Sequence, residues 1–295
     1  MDFATVIVYL KDLVATVLTL LMMMSPAFGS NSVTYTAEKP EEVIMSFTAV
    51  SDIHVESNNP KPYNVFYDVL KGMKSGENND AAVFLGDNTM NGQIIENFFF
   101  YSAVKAMKPA EESYIALGNH DIGNGEGDYE KFSREYVFNN RFYLGNDIGN
   151  KPYYYKVVNG CYMIFLASED LAVNDCFMTE EQLAWLKNVL DEAAAKDSNI
   201  FVFNHHPLYQ LVGVEQDALA EILNDYENLL YLYGHTHKEI DADSFGVQGG
   251  VNTINVPRAT AEGNGVVVEV YEDEVVVRGR DFAANEWLEG LRYTY

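Results

Sequence analysis

The positions of the histidines constrain this sequence more than any other feature. All six lie in four short segments, and three of these segments directly follow a run of residues typical of a β-strand. A fifth segment has no histidine but places an aspartate after the strand-like run 81–85. The five segments are residues 51–54, 86–88, 118–121, 204–207 and 234–237. Imidazole and carboxylate groups are ligands that borderline divalent metals accept, so the pattern predicts a metal site at the edge of a sheet.

The rest of the sequence predicts an α/β fold. Strand-like runs alternate with amphipathic helical patterns from residue 43 onwards, and the last part of the chain is all strand-like. This order indicates a sheet built from strand–helix units, with a second sheet packed on it. The predicted strands are 43–50, 81–85, 113–117, 153–158, 161–167, 199–203, 229–233, 253–256, 265–270 and 274–278, and the predicted helices are 62–74, 94–107, 128–137, 180–194 and 215–223.

Length and charge limit what the chain can bind. A sequence of 295 residues without internal repeats or Pro-rich linkers is most simply one large domain. The formal net charge is −25, whereas surfaces that bind nucleic acid or anionic membranes need clustered Lys and Arg. We therefore expect no nucleic-acid partner, and the sequence leaves the oligomeric state open.

Residues 1–29 have the pattern of an export signal. The apolar run 13–24 follows Lys11 and precedes Pro26, and the small residues Ala27 and Gly29 suit a cleavage site. We expect an exported protein (extracellular, periplasmic or cell-surface) with no stable membrane association after residues 1–29 are removed. Residues 30–42 are then a leader, and 43–295 form the domain. An uncleaved anchor is an alternative, although the run is short for a span of ~20 residues, and so is an ordinary helix.

The chain has two cysteines, Cys161 and Cys176. In an oxidising compartment they could form one disulfide across a short loop. A buried thiol is an equally good interpretation, because Cys161 lies in an apolar run. Neither cysteine has a neighbouring base, so neither is predicted to be a nucleophile.

Spacing within the segments determines which side chains can share an ion. Asp52 and His54 are two residues apart, so both point to the same side of an extended segment, and His235 and His237 repeat this spacing. The candidate ligands are Asp52, His54, Asp87, Asn119, His205, His235 and His237. These are too many for one ion, and a carboxylate can bridge two ions about 4 Å apart. The set therefore predicts a dinuclear centre.

The order of the five segments resembles the calcineurin-like metallophosphoesterase superfamily. The motifs are Asp-x-His, Gly-Asp, Gly-Asn-His-Asp, His-x-Pro and Gly-His-x-His, and the match covers residues 46–240. The resemblance implies a four-layer α-β-β-α sandwich of two packed mixed sheets. It also implies that one divalent ion is held by Asp52, His54, Asp87 and His237, and a second by Asp87, Asn119, His205 and His235. Mn, Fe, Zn and Co ions would all accept these ligands.

The activity that the resemblance implies is hydrolysis of a small phosphate ester, either a monoester or a diester, by water that the metals activate. His120 is then the catalytic residue that faces the substrate. Many family members have Asp or Glu three positions after the bridging aspartate, where it holds this histidine, and purple acid phosphatases have a metal-binding Tyr there. This chain has Met90, which disfavours a purple centre and leaves Asn88, Asn91 or a backbone carbonyl to orient His120.

The neighbours of the predicted ligands have smaller expected roles. Strand alternation predicts that His206 faces away from the metals, and Asp121 is expected to orient its neighbours. Two other functions stay open, namely a non-catalytic binding module on the same fold and a nuclease like the DNA-repair branch. The complete ligand set opposes the first, and the net charge of −25 opposes the second.

Overall fold

The structure is a computed structural model that describes residues 43–75 and 79–295. The predicted export signal and leader, residues 1–42, lie outside the described residues. Within the described part, no helix combines the length and the apolar character that crossing a bilayer requires.

Fourteen strands and six α-helices form in the described residues. The strands are β1 (Met45–Val50), β2 (Ala81–Phe84), β3 (Glu112–Ile115), β4 (Tyr154–Val158), β5 (Cys161–Phe165), β6 (Cys176–Phe177), β7 (Ile200–Phe203), β8 (Leu211–Val212), β9 (Leu229–Tyr233), β10 (Phe245–Gln248), β11 (Val251–Asn255), β12 (Asn264–Val270), β13 (Val275–Asp281) and β14 (Glu286–Thr294). The helices are α1 (Pro60–Ser75), α2 (Ile94–Met107), α3 (Tyr129–Leu144), α4 (Glu180–Ala194), α5 (Ala218–Leu223) and α6 (Ala259–Glu262).

Two six-stranded mixed sheets form the centre of the molecule. The first has the strand order β14-β13-β12-β1-β2-β3, and the second has the order β10-β11-β9-β7-β5-β4. In the first sheet β1, β2 and β3 are parallel, and in the second β5, β7, β9 and β11 are parallel. Loops at the carboxyl ends of parallel strands form the crevice where open α/β sheets bind ligands, and each of the five segments lies at such an end.

The two sheets pack face to face through aromatic side chains. The ring of Phe47 in β1 lies 5.0 Å from Phe201 and 5.6 Å from Phe203, both in β7. On the outer face of the first sheet, Phe66 of α1 lies 5.9 Å from Phe84 in β2. Helices α4 and α5 cover the second sheet with a separate apolar cluster. A fully buried Phe contributes roughly 1.5–3 kcal/mol relative to an exposed one, so these contacts hold the four layers together, as predicted.

The predicted helices are confirmed. Some of them begin or end at other residues than predicted, because capping residues determine where a helix stops. Helix α3 extends to Leu144, beyond the predicted residue 137, because Gly145 ends it in the left-handed region with φ 68°. At the start of α4, Thr179 accepts a hydrogen bond from the backbone of Gln182, as expected of an N-cap. The Gln182 side chain binds the backbone of Ala167, so it does not complete a capping box with Thr179.

Strands β4 and β5 form a hairpin that turns at Asn159 and Gly160. Strand β14 was not predicted, because most of its side chains are exposed and do not show the apolar pattern of a core strand. No disulfide joins Cys161 and Cys176, and both are buried.

Candidate metal centre

The backbone at the predicted ligands is unusual. Ten non-glycine residues among those described have positive φ, and half of them belong to the predicted ligand set. These five are Asp52, His54, Asp87, His235 and His237, with φ between 50° and 67°. A residue with a Cβ pays roughly 1–3 kcal/mol for such a conformation, and proteins retain it mainly at functional sites. The backbone strain is thus concentrated at the predicted site.

Two glycines allow the segments to approach each other closely. A Cβ at Gly118 would overlap the backbone nitrogen and the carboxylate of Asp87. A Cβ at Gly234 would overlap Ser51 Oγ and would lie 2.7 Å from Asp52 Oδ2. Glycine at these positions is therefore needed for space, whatever its conformational freedom.

The first group of converging side chains comprises Asp52, His54, Asp87 and His237, with one ligand atom from each lying within 4.8 Å of every other. Asp52 Oδ1 lies 3.0 Å from His237 Nε2, and the two Nε2 atoms of His54 and His237 are 3.1 Å apart. The Asp87 Oδ2 atom lies 3.8 Å from His54 Nε2. Three of these side chains are buried, and His237 is exposed.

The second group comprises Asp87, His205 and His235, again within 4.8 Å of one another. His205 Nε2 lies 3.2 Å from Asp87 Oδ2 and 3.3 Å from His235 Nδ1. Asn119 joins this group, because its Oδ1 lies 3.1 Å from His235 Nδ1. Asp87 belongs to both groups, so the structure brings all seven predicted ligands to one place, in the two sets that the resemblance implies.

Hydrogen bonds outside the two groups fix which atoms point inwards. His205 Nδ1 donates to the carbonyl of Leu85 over 2.8 Å, which leaves Nε2 free to bind an ion. Asn119 Nδ2 donates to Asn124 Oδ1 over 2.9 Å, and this turns the oxygen of Asn119 towards His235. Sequence reasoning missed both partners, although Asn124 lies in a glycine-rich stretch directly after a predicted ligand.

The charges of the buried groups are strongly coupled. Burial raises the pKa of Asp87, but the nearby His205 outweighs it and lowers the pKa to about 2. Burial lowers the pKa of His205, but Asp87 outweighs it and raises the pKa to about 9. Burial also acts against ionised Asp52, yet His237 and His54 hold its pKa well below the usual value. At neutral pH both carboxylates are ionised, and His205 carries a proton that a metal ion would replace.

The donor set fits divalent ions. Two carboxylates, four imidazoles and one amide oxygen converge on one place, and this mixture suits borderline first-row metals. Asp52 Oδ1 is buried without a hydrogen bond, although His237 Nε2 is only 3.0 Å away. Carboxylate and imidazole ligand atoms that lie so close together are the arrangement that a cation stabilises. The seven residues therefore form a candidate centre for metal binding.

His120 lies beside this centre and belongs to neither group. Its ring is 4.7 Å from the ring of His54, and its backbone nitrogen donates to Asp87 Oδ1 over 2.8 Å. His120 Nδ1 donates to the backbone carbonyl of Met90 over 2.7 Å, which selects the third of the three predicted ways to orient the ring. The Met90 side chain takes no part, as expected. The hydrogen bonds that His120 forms within the described residues involve its backbone nitrogen and Nδ1, not Nε2.

Of the two predictions for residues next to the candidate ligands, the one for Asp121 agrees with the structure and the one for His206 does not. Asp121 accepts hydrogen bonds from the backbone nitrogens of Thr89 and Gly118, so it does orient its neighbours. His206 was predicted to face away, and this was wrong, because its ring lies 4.5 Å from that of His235 and 5.0 Å from that of His205. The chain has left the extended strand at this point, so strand alternation no longer applies.

Known structures share this fold. A dimetal phosphatase from Danio rerio is 16% identical, with a TM-score of 0.61, and the alignment covers 86% of this chain and 99% of that one. A purple acid phosphatase from yellow lupin (Lupinus luteus) is 13% identical, with a TM-score of 0.59, and the alignment covers 85% of this chain and 53% of that one. At these identities the likeness shows a common fold.

Sequence comparison identifies the family. No curated protein is significantly similar to the chain in sequence. The model of the calcineurin-like phosphoesterase family, however, matches residues 45–239, which is more than half of the chain and contains all seven candidate ligands. With this match, the fold and the site geometry in agreement, the chain belongs to the calcineurin-like phosphoesterase family.

Proposed function

We propose that this protein is an exported metal-dependent phosphoesterase that hydrolyses small phosphate esters, diesters or monoesters, at a dinuclear centre. The observation that carries the proposal is the position of Asp87, whose Oδ2 faces His205 Nε2 at 3.2 Å and His54 Nε2 at 3.8 Å. One carboxylate is thereby shared by two ligand groups. This is the arrangement expected of a centre that binds two ions side by side.

The residues divide the work as follows. Asp52, His54, Asp87 and His237 would hold one ion, and Asp87, Asn119, His205 and His235 would hold the other. The chemistry that such a pair supplies in phosphoesterases is neutralisation of phosphate charge together with activation of water near neutral pH. Once its ring carries a proton on each nitrogen, His120 can give the Nε2 proton to the departing oxygen, a contribution of roughly 10²–10⁴-fold for a well-placed group.

The group that binds His120 Nδ1 affects which phosphate esters the protein would hydrolyse best. The Met90 carbonyl holds the Nδ1 proton without adding a negative charge, so it supports a protonated ring less than a carboxylate would. Esters whose leaving group departs without a proton depend less on this histidine. We therefore favour phosphodiesters or activated monoesters over alkyl monoesters.

Export and the absence of a nucleic-acid partner are parts of the same proposal. The apolar run 13–24 with small residues after it supports a removable export signal. The net charge of −25 opposes binding to polyanions, which supports a small substrate in place of DNA or RNA. Mass spectrometry of the secreted protein tests the first part, since a new N-terminus near residue 30 is expected.

The activity is tested with the purified protein, stripped of metal and reloaded with Mn²⁺. We expect hydrolysis of bis(p-nitrophenyl) phosphate or p-nitrophenyl phosphate, and loss of it in Asp87→Ala. Inactivity of the wild type with Mn²⁺, Fe²⁺, Zn²⁺ and Co²⁺ would contradict the proposal. Metal binding without any hydrolysis would favour a non-catalytic scaffold, and tight binding of DNA at low salt would favour a nuclease.

A further inference from the structure

The carbonyl that orients His120 belongs to the loop between β2 and α2, residues 88–93. The Met90 backbone nitrogen donates to the carbonyl of Val55 over 2.9 Å, and its carbonyl accepts from His120 Nδ1 over 2.7 Å. A backbone carbonyl can orient a histidine only as well as its own loop is held. Two carboxylate side chains, those of Asp121 and Glu96, bind this loop from its two sides.

One side of the loop is held by Asp121. Its Oδ1 accepts from Thr89 N over 2.9 Å and from Thr89 Oγ1 over 2.8 Å. Thr89 Oγ1 in turn accepts from the backbone nitrogen of Gly92. These bonds fix the segment just before Met90.

The other side is held by Glu96, which lies in the first turn of α2 and is 0% exposed. Its Oε2 accepts from Asn91 N over 2.9 Å and from Gln93 N over 3.2 Å, and its Oε1 accepts from Asn91 Nδ2 over 3.0 Å. Asn91 follows Met90 directly, so the peptide that carries the Met90 carbonyl is the same peptide whose nitrogen Glu96 binds. Rotation of this peptide would move both atoms together.

We propose that Glu96 is a positioning residue for His120. Its carboxylate fixes the Met90–Asn91 peptide plane, and the carbonyl of that plane keeps the proton of His120 on Nδ1 and the ring in place. The buried carboxylate of Glu96 thus controls the histidine without contacting it. The part of this inference that concerns catalysis rests on the proposed phosphoesterase function, whereas the part that concerns the tautomer of His120 does not.

Glu96 could also act only as a helix cap, and this role predicts different effects from the positioning of His120. Glu96 also forms a capping box with Gln93 at the start of α2, and a capping residue contributes typically ~1 kcal/mol to stability. A cap alone predicts a loss of stability in a Glu96 variant without any specific effect on His120. Thr179, the N-cap of α4, serves as the matched control, because it caps a helix that covers the other sheet.

The tautomer of His120 is the most direct measurement. Two-bond ¹⁵N–¹H correlation spectra of the metal-free full chain with ¹⁵N-labelled histidine report which ring nitrogen carries the proton, and His120→Ala assigns the signal. We expect the Nδ1-protonated form of His120 in the wild type and in Thr179→Ala. In Glu96→Ala and Glu96→Gln we expect a mixture of tautomers at this residue, and in the milder Asn91→Ala a smaller change of the same kind.

Outcomes of this spectrum decide the inference. An unchanged His120 signal in folded Glu96→Ala, or an equal change in Thr179→Ala, would overturn it. If Glu96→Ala does not fold, Asn91→Ala carries the test, since it removes the side-chain hydrogen bond from Asn91 to Glu96 and keeps the carboxylate. An unchanged His120 signal in Asn91→Ala would then count against the inference.

Kinetics of the metal-loaded enzyme give a second readout through a double-mutant cycle. With an alkyl phosphate ester, which needs a proton on its leaving group, we expect Glu96→Ala to lower kcat by about 10-fold or more with little change in KM. With p-nitrophenyl esters the loss of kcat should be smaller, and in the His120→Ala background Glu96→Ala should have no further effect.

Equal losses of kcat in the wild-type and His120→Ala backgrounds would make the role of Glu96 purely structural. A wild type inactive on every ester would refute the proposed function, while the spectrum would still test the positioning role.

Discussion

Asp87 and His205 face each other at the centre of the site, with 3.2 Å between Oδ2 and Nε2. They come from the ends of β2 and β7, which belong to different sheets, so their contact depends on the packing of the two sheets. The same carboxylate oxygen lies 3.8 Å from His54 Nε2, and thus faces both ligand groups. The site exists because two sheets present their carboxyl ends at one edge.

Because Asp87 belongs to both ligand groups, we expect Asp87→Ala and His237→Ala to differ in how many metal ions they retain. Replacing Asp87 by Ala removes a ligand from both groups, so we expect loss of both ions and a fall in activity of at least about 10²-fold. Replacing His237 by Ala affects only the first group, so about one ion per chain should remain. Elemental analysis after gel filtration measures the two contents. Equal metal content in the two variants would contradict the bridging role.

The coupling of Asp87 and His205 predicts how pH affects metal binding. The pKa of His205 in the metal-free protein is raised to about 9 by Asp87 against the effect of burial, so an ion must displace its proton at neutral pH. Affinity for Mn²⁺ should therefore rise as pH increases from about 7 to 9, and calorimetric titration under argon measures it. An affinity independent of pH in this range would count against the ionised pair.

The same pKa has the opposite effect on the stability of the metal-free protein. Because the folded pKa of about 9 lies above the ordinary value of 6.5, the contribution of His205 is complete below pH 6.5 and is lost as pH rises through 9. Urea denaturation of the metal-free protein at several pH values should show this decline. His205→Gln, which keeps an amide in place of the titrating ring, should reduce it.

Close packing at Gly234 predicts that a larger residue there lowers both the stability of the protein and its affinity for metal. A Cβ at this position would overlap Ser51 Oγ and crowd Asp52, so Gly234→Ala should cost about 1–3 kcal/mol and weaken metal binding by displacing Asp52. Gly246→Ala is the control, because a Cβ at Gly246 meets nothing within 4 Å. Urea denaturation and metal titration compare the two. A Gly234→Ala protein as stable and as metal-rich as Gly246→Ala would show that the segments are not packed as described.

The bond between Asn119 and Asn124 predicts a role for the glycine-rich loop. Asn124 Oδ1 accepts from Asn119 Nδ2 and thereby aims the oxygen of Asn119 at the second group. Asn124→Ala should weaken the second ion by about 10–100-fold, as expected when the partner of a metal ligand is lost. The first ion should be unaffected, which competition with a chelator resolves. Weakening of both ions alike would indicate a general loss of structure.

The sequence predicts which side chains converge because the segments that carry them follow strands. Asp87 and His205 each come two residues after an apolar run that ends at one edge, so the strand pattern is enough to place both residues at that edge. The partners that orient them are harder to predict. The carbonyls of Leu85 and Met90 have no sequence signal, since every residue has a carbonyl, and only the folded chain shows which of them accepts a proton from a histidine.

Other features were missed for different physical reasons. His206 was assigned to the wrong side because the alternation of a strand was extended beyond Phe203, where β7 ends. Glu96 lies inside the predicted helix 94–107 without any sequence signal of its own, because its hydrogen bonds with Asn91 and Gln93 form only when the loop before α2 closes on it. Strand β14 pairs with β13 at the edge of the first sheet, where exposed side chains carry little pattern.

The central claim is that seven separate side chains hold two ions with Asp87 between them. Anomalous diffraction from crystals soaked in Mn²⁺ tests it most directly. The account predicts two peaks about 4 Å apart, one beside His54 and His237, the other beside His205 and His235, with the Asp87 carboxylate contacting both. A single peak, or two peaks of which Asp87 touches only one, would contradict it.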